Sequence, residues 1–136
     1  MQFDGENLPD RASAALIAER RFQLWKYTCS HGMLLIRSPK SPSSGDEPAR
    51  MNNIDIVCGD VRYISAPRFL GEIRIVQPTP DELTGFGNRV DQSLKASDLL
   101  VLENDLGRHH VVLAHYLVIE TEGDEGPAGF EFFFNR

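Results

Sequence analysis

Residues 108–120 read RHHVVLAHYLVIE, and this stretch decides the expected fold. It is rich in β-branched and aromatic residues and a turn-like run follows it, so it predicts one long strand. Successive side chains of a strand point to opposite faces, and in the middle of this stretch both sets are largely apolar. We therefore expect a central strand that is covered on both sides.

The stretches around this strand predict a mainly β fold. Several shorter segments with strand patterns are separated by turn residues, without the long helical crossovers that parallel strands need. These segments are 22–29, 33–37, 54–58, 61–64, 72–76, 99–103 and 130–134. We expect an antiparallel sandwich or partly open barrel of about seven or eight strands, in a single domain that spans residues 1–136.

Two helices complete the expected fold. Pro9 and Asp10 suit the start of a small N-terminal helix over about residues 9–20. Residues 79–82 (TPDE) match a capping box with proline at the first helical position. Two glycines follow closely, and they predict that this second helix is only one or two turns long.

Two other segments have distinctive compositions. Residues 38–50 are rich in proline and serine, which predicts a mobile loop. Near the C-terminus, a strand over 130–134 (FEFFF) would place Phe130, Phe132 and Phe134 on one face. We expect these rings to be core, and the alternative is that they pair with a second copy of the chain.

Composition and charge exclude several classes of protein. The net charge of −6 argues against nucleic acid and anionic membrane as partners, because such binders are basic. It is compatible with a basic protein partner.

The first residues lack the features of a secretory signal, and no apolar run approaches the ~20 residues that span a bilayer. We therefore predict a cytoplasmic protein in which Cys29 and Cys58 are reduced, buried thiols.

Three of the four histidines, His109, His110 and His115, lie in the long strand. Imidazoles are common metal ligands, but His110 and His115 would point to opposite faces of the strand. His109 would share the face of His115 at a separation of about 20 Å. We therefore predict no metal and no cofactor. The alternative is a small-molecule or metal-binding β-barrel enzyme that uses the histidines of residues 109–115.

Aromatic residues on the first predicted strand, 22–29, suggest a protein interface. Trp25 and Tyr27 are two residues apart, so a regular strand places them on one face, and both types are frequent at binding hot spots. With the nearby His31 and Arg37, they are the candidate interaction residues. No nucleophile, base and oxyanion-hole arrangement is recognisable, so we assign no catalytic residues.

A longer pattern extends around these residues. It runs Trp25-x-Tyr27-x-x-Ser30-His31-x-x-Leu34-Leu35-Ile36-Arg37-Ser38, followed by Ile54-Asp55 and Val61-Arg62. This pattern resembles that of a group of small uncharacterised bacterial proteins and implies no particular activity. Some acidic β-rich bacterial proteins of this size are immunity proteins against toxins. We expect a non-catalytic protein-binding or structural module, with an immunity or inhibitor-like role as one form of it.

Overall fold

The computed structural model describes residues 8–122, and its fold is mainly β. The two helices are α1 (Arg11–Ile17) and α2 (Pro80–Val90), and a 3₁₀ turn covers Ala96–Asp98. The strands of this part of the chain are β1 (Arg21–Thr28), β2 (Met33–Ser38), β3 (Asn53–Gly59), β4 (Tyr63–Ser65), β5 (Phe69–Glu72), β6 (Arg74–Val76), β7 (Leu99–Asn104), β8 (Gly107–Val112) and β9 (His115–Thr121).

The strands form two antiparallel sheets that pack as an open sandwich. One sheet has five strands in the order β5-β1-β2-β3-β9, and the other has four in the order β4-β8-β7-β6. The core between them is apolar and includes Phe22, Leu34, Ile36, Ile56, Leu100, Leu102 and Val111. The predicted antiparallel sandwich with two small helices is thus confirmed, and the sheets do not close into a barrel.

The stretch that was expected to form one long strand is two strands in different sheets. β8 pairs with β7 and β4, whereas β9 pairs with β3. The chain changes sheets at Leu113 and Ala114, whose amides donate to the carbonyls of Asp98 and Gly59 respectively. Val111 faces the core before this change, and Val118 faces it afterwards. The set of positions that faces the core switches from odd to even, and apolar residues on both faces hide this switch in the sequence.

A second predicted strand, 72–76, is divided in the same way. Glu72 at the end of β5 pairs with Arg21 in the five-stranded sheet, and Arg74 at the start of β6 pairs with Glu103 in the other sheet. The buried Ile73 lies between them and joins the core. Seven strands were predicted within residues 8–122, and these two divisions raise the number to the nine that the structure contains. The strand predicted over 130–134 lies outside the described residues.

Helix α1 is shorter than predicted. Asp10 caps its N-terminus by accepting a hydrogen bond from the Ser13 amide at 2.7 Å. The helix ends at Ile17 rather than near residue 20, because Ala18 leaves the helical region and Glu19 has a φ of 60°. Ile17 and Leu16 pack into the core, so α1 covers one opening of the sandwich.

Helix α2 is longer than predicted and covers the outer side of the four-stranded sheet. The capping box is confirmed, since Thr79 and Glu82 exchange side-chain to backbone hydrogen bonds of 2.8 and 3.1 Å. Leu83, Phe86 and Val90 pack against the apolar residues of β7 and β8. Neither helix within residues 8–122 is long and apolar enough to cross a membrane.

The loop between β2 and β3 includes most of the segment that was predicted to be mobile. Two isolated antiparallel bridges, Ser41 with Arg50 and Ser44 with Glu47, give it local order. Arg20 holds the base of the loop together, because its guanidinium donates to Ser38 and to the carbonyl of Asn52. The mobility of residues 38–50 stays a prediction.

Candidate functional site

The face of the five-stranded sheet that points away from the core carries an unusual buried region. Met33, Leu35 and Val57 lie on this outer face and have no exposed surface. Leu117 and Ile119 of β9 pack beside them. We call these five residues the outer apolar cluster. All six residues of β2 and all seven of β3 are buried, including those that point to the outer face.

A buried ion pair continues this cluster along the same face. The Arg37 guanidinium donates to both carboxylate oxygens of Asp55, with distances of 2.7 and 3.0 Å. The Thr121 hydroxyl donates to Asp55 as well, at 2.7 Å. Arg37 and Asp55 are 1% and 0% exposed. The guanidinium that sequence reasoning assigned to an interaction surface is therefore enclosed, and a partner cannot reach it without displacing its cover.

Trp25 lies at the border of the buried region. Its ring centroid is 5.2 Å from the guanidinium carbon of Arg37, a cation–π contact, and the residue is 41% exposed. A β-bulge between Leu24 and Lys26 interrupts the alternation of β1. Tyr27 consequently lies opposite Leu34, a core residue, on the other face of the sheet. The expectation that Trp25 and Tyr27 share one face is wrong, because that expectation assumed a regular strand.

Phe69 on the edge strand β5 completes an exposed aromatic surface. Gln23 pairs with both Arg37 and Phe69, and paired residues of antiparallel strands point to the same face. Phe69 therefore shares the outer face with Trp25, and it is 63% exposed. We call these two residues the aromatic edge. Sequence reasoning missed Phe69, because residues 67–71 were interpreted as a break between strands.

The surroundings of the aromatic edge are more cationic than anionic. Arg68 places its guanidinium carbon 4.9 Å from the Phe69 ring centroid, and Lys26 and Arg21 are exposed on β1. Glu72 is the exposed acidic residue on β5 and lies opposite Arg21, and the Glu47 carboxylate is 3.9 Å from the Arg21 guanidinium. Residues 8–122 as a whole contain 13 basic and 15 acidic side chains, a net charge of −2. Most of the net charge of −6 therefore belongs to residues 1–7 and 123–136.

The remaining residues predicted on this hairpin lie at its turn. His31 is exposed in the turn between β1 and β2, at the opposite end of the hairpin from Arg37. Cys58 is buried as expected, and burial raises the pKa of its thiol. Cys29 is exposed, so the prediction that both cysteines are buried is wrong for this residue. The strand β1 ends at Thr28, one residue before Cys29.

A second polar cluster joins α2 to the four-stranded sheet. The Glu82 carboxylate accepts hydrogen bonds from Arg108 at 2.7 and 2.9 Å and from the Thr79 amide at 2.8 Å, and it also contacts His110. The Phe86 ring stacks on His110 with centroids 4.3 Å apart. The pKa of Glu82 is lowered to about 2, and the hydrogen bonds from Arg108 are the largest cause.

A histidine beside a carboxylate is an arrangement that general acid–base catalysis uses. Here, however, both oxygens of Glu82 are occupied by donors, and His110 is buried under Phe86. The cluster has the features of a structural clamp: it fixes the first turn of α2 to β8 and caps the helix with the same carboxylate. Sequence reasoning recognised the capping box but not its link to His110.

The three histidines of residues 109–115 do not converge. His109 contacts the Asn104 side chain at 2.9 Å, His110 contacts Glu82, and His115 begins β9 in the other sheet. Within residues 8–122, no three His, Cys, Asp or Glu side chains are grouped so that they could hold a metal ion. The alternative hypothesis assumed a β-barrel, and the two sheets form an open sandwich instead; the enzyme function in that hypothesis stays a prediction.

Comparison with protein-family models, with curated proteins and with solved structures finds no match to this chain.

Proposed function

We propose that this protein is a non-catalytic binding module that engages a protein partner through the aromatic edge. One observation carries the proposal. Six large hydrophobic side chains are exposed within residues 8–122, and two of them, Trp25 and Phe69, are aromatic residues on the same outer face of the adjacent strands β1 and β5. Tyr27 is also exposed, but it lies on the other face of β1. Single exposed apolar residues are ordinary on protein surfaces, but grouped aromatic residues are typical of interaction sites.

The support beneath Trp25 favours this use. Its ring rests on a guanidinium that is itself fixed by two hydrogen bonds to a buried carboxylate. A side chain that is held in place before binding loses less conformational entropy when the complex forms. Trp25 is therefore suited to act as a preformed anchor for a partner.

The local charge indicates which partner would fit. The Arg68 guanidinium lies over the Phe69 ring, so a partner segment with apolar and acidic side chains would be complementary to the aromatic edge. A basic partner was expected from the net charge, but the part of that charge within residues 8–122 is only −2. We therefore propose an acidic and apolar partner segment at the aromatic edge.

An inhibitor-like role of the immunity-protein type is one form of this function. An inhibitor acts by occupying the surface of another protein, and it needs a firm complementary surface rather than catalytic groups. The open sandwich and the fixed Trp25 supply such a surface. We place the interaction in the cytoplasm, where an exposed thiol such as Cys29 stays reduced.

Substitution of the aromatic edge tests the proposal. A partner captured from cells that contain this protein would be titrated with Trp25→Ala and Phe69→Ala. Leu106→Ala is the matched control, because Leu106 is a large exposed hydrophobic residue at the β7–β8 turn. If the edge is a hot spot, each aromatic variant should weaken binding by at least about 30-fold, which corresponds to ~2 kcal/mol. The control should bind as the unmodified protein does.

Thermal melts of all three variants would separate lost binding from lost folding. The proposal is overturned if folded Trp25→Ala and Phe69→Ala bind the partner as tightly as the unmodified protein. It is also overturned if only the Leu106→Ala variant loses affinity, since the interface would then lie at the β7–β8 turn of the four-stranded sheet.

A further inference from the structure

The outer apolar cluster is buried without a visible second layer. Met33, Leu35 and Val57 have no exposed surface, yet the hydrophobic side chains that pack on them from residues 8–122 are Leu117 and Ile119 of the same sheet. Side chains on one face of a sheet stand side by side, and a layer about 10 Å away is needed to cover them. Some part of the protein must supply that layer.

The other faces of the two sheets already have their covers. The inner faces pack against each other to form the core, and α2 covers the outer side of the four-stranded sheet. Helix α1 is not available for the outer apolar cluster, because its apolar residues Leu16 and Ile17 pack into the core. The two sheets have four faces in all. Residues 8–122 cover three of them, and they do not provide a cover for the outer face of the five-stranded sheet.

The ion pair between Arg37 and Asp55, on the same face, also needs a layer that covers it. Arg37 and Asp55 are fully enclosed, although Trp25 contacts only the guanidinium and is itself partly exposed. Two charges that lie outside the core are protected from water only if a further layer closes over them. The buried region therefore extends over β2, β3 and β9.

We propose that the C-terminal segment of this same chain, residues 130–134 (FEFFF), docks on the outer apolar cluster and forms this layer. β9 ends at Thr121, whose hydroxyl donates to Asp55 on the face itself. Residues 123–136 follow directly and contain four phenylalanines. Their 14 residues can span up to about 46 Å, whereas three strands are only ~10 Å wide between their outer axes.

Composition favours residues 130–134 over residues 1–7 as the segment that covers the outer apolar cluster. Residues 1–7 (MQFDGEN) hold one aromatic ring and two acidic side chains. Residues 130–134 hold four rings, and each ring buries on the order of 150–250 Å² when packed. Residues 123–129 (GDEGPAG) contain three glycines and a proline, a composition that allows the chain to turn back on itself. A second copy of the chain is not required, because the burial is found within a single chain.

Methionine methyl NMR on the full-length chain tests this docking directly. Met33 lies in the outer apolar cluster, and the exposed Met51 is an internal control. We expect nuclear Overhauser contacts from the Met33 methyl to ring protons of residues 130–134. These contacts should be lost at the substituted ring in Phe132→Leu or Phe134→Leu, and a Phe3→Leu control should keep them. A soluble gadolinium chelate should broaden the Met51 methyl signal but not that of Met33.

Each other outcome overturns the proposal. Contacts from Met33 to Phe3 alone would assign the cover to the N-terminus. Contacts that appear only in a mixed sample of differently labelled chains would assign it to a second copy. Broadening of Met33 to the same extent as Met51 would show that the cluster is open to water. The unmodified protein decides between these results even if a variant does not fold, and none of them depends on partner binding at the aromatic edge.

Discussion

The bidentate pair between Arg37 and Asp55 places two charges where water does not reach. Removing both charges from water costs several kcal/mol, so such a pair need not stabilise the fold relative to two apolar residues. Removing one partner is different, because the remaining charge is left buried without compensation. At the residue scale, this asymmetry distinguishes a buried pair from an exposed one.

We predict that Arg37→Met lowers the free energy of unfolding by about 3–5 kcal/mol, measured by urea denaturation. The double variant Arg37→Met with Asp55→Leu should recover much of this loss. Arg74→Met is the matched control, because Arg74 forms an exposed pair with Glu103, and its cost should be about 0–1 kcal/mol. Equal, small losses for Arg37→Met and Arg74→Met would show that the pair on the outer face is hydrated.

Glu82 makes stability depend on pH. Its pKa in the folded protein is lowered to about 2, first by hydrogen bonds from Arg108, against an ordinary value of 4.5. A carboxyl whose pKa is depressed by folding contributes its full stabilisation above the unfolded value and loses it as pH falls towards the folded value. The contribution of Glu82 should therefore disappear between about pH 4.5 and pH 2.

We predict that Glu82→Gln flattens the dependence of the free energy of unfolding on pH within this window. Urea denaturation at several pH values measures it, and Asp81→Asn, on the neighbouring residue of the same first helical turn, is the control. An unchanged slope in Glu82→Gln, or an equal change in both variants, would contradict the assignment of the effect to the contacts with Arg108 and His110.

At the scale of elements, α2 contains two glycines in opposite situations. A Cβ atom at Gly87 would lie 2.6 Å from the backbone oxygen of Gln92, in the turn that ends the helix. A Cβ atom at Gly85 would meet nothing within 4 Å. Gly87 thus allows the turn after the helix to approach the helix backbone closely.

We predict opposite signs for the two alanine substitutions, measured as the free energy of unfolding. Gly85→Ala should stabilise the protein by roughly 0.5–1 kcal/mol through the helix propensity of alanine. Gly87→Ala should destabilise it by about 1–3 kcal/mol, because the turn after α2 must move. A stabilising Gly87→Ala would show that this turn yields easily and that the close approach has no structural role.

The same elements show what the sequence can and cannot predict. The start of α2 is local, since Thr79 and Glu82 lie three residues apart, and the capping box was predicted correctly. The division of residues 108–120 is not local, because it depends on which neighbours the chain meets at Asp98 and Gly59. No glycine or proline marks the change of sheets, and Ala114 gives no signal of its own.

At the scale of the whole molecule, the sheet architecture was predictable and the surface sites were not. Strand patterns and short connections indicate antiparallel sheets whatever their exact pairing. The sites combine residues that are far apart along the chain, such as Glu82 with His110 and Arg37 with Asp55. Phe69 joins the aromatic edge through pairing between β1 and β5, which are separated by three other strands along the chain.

The loop after β2 should be the first place where the folded molecule is cut. Residues 40–49 are exposed, whereas the strands on either side are buried in the sheet. We predict that limited proteolysis with subtilisin first cleaves between residues 40 and 51. The two fragments should stay associated, because they share the central strand pair. First cleavage within residues 109–119 would contradict the position of β8 between β4 and β7 and the pairing of β9 with β3.

Trp25 permits the most direct measurement of the proposed interaction, because it is the only tryptophan in the chain. If the partner contains no tryptophan, excitation at a wavelength that only tryptophan absorbs reports on Trp25 alone. In the free protein the partly exposed ring should be quenched by acrylamide. When the partner binds at the aromatic edge, we predict a shift of Trp25 emission to shorter wavelength and a smaller quenching constant. A complex that forms while emission and quenching remain those of the free protein would contradict the assignment of the binding surface.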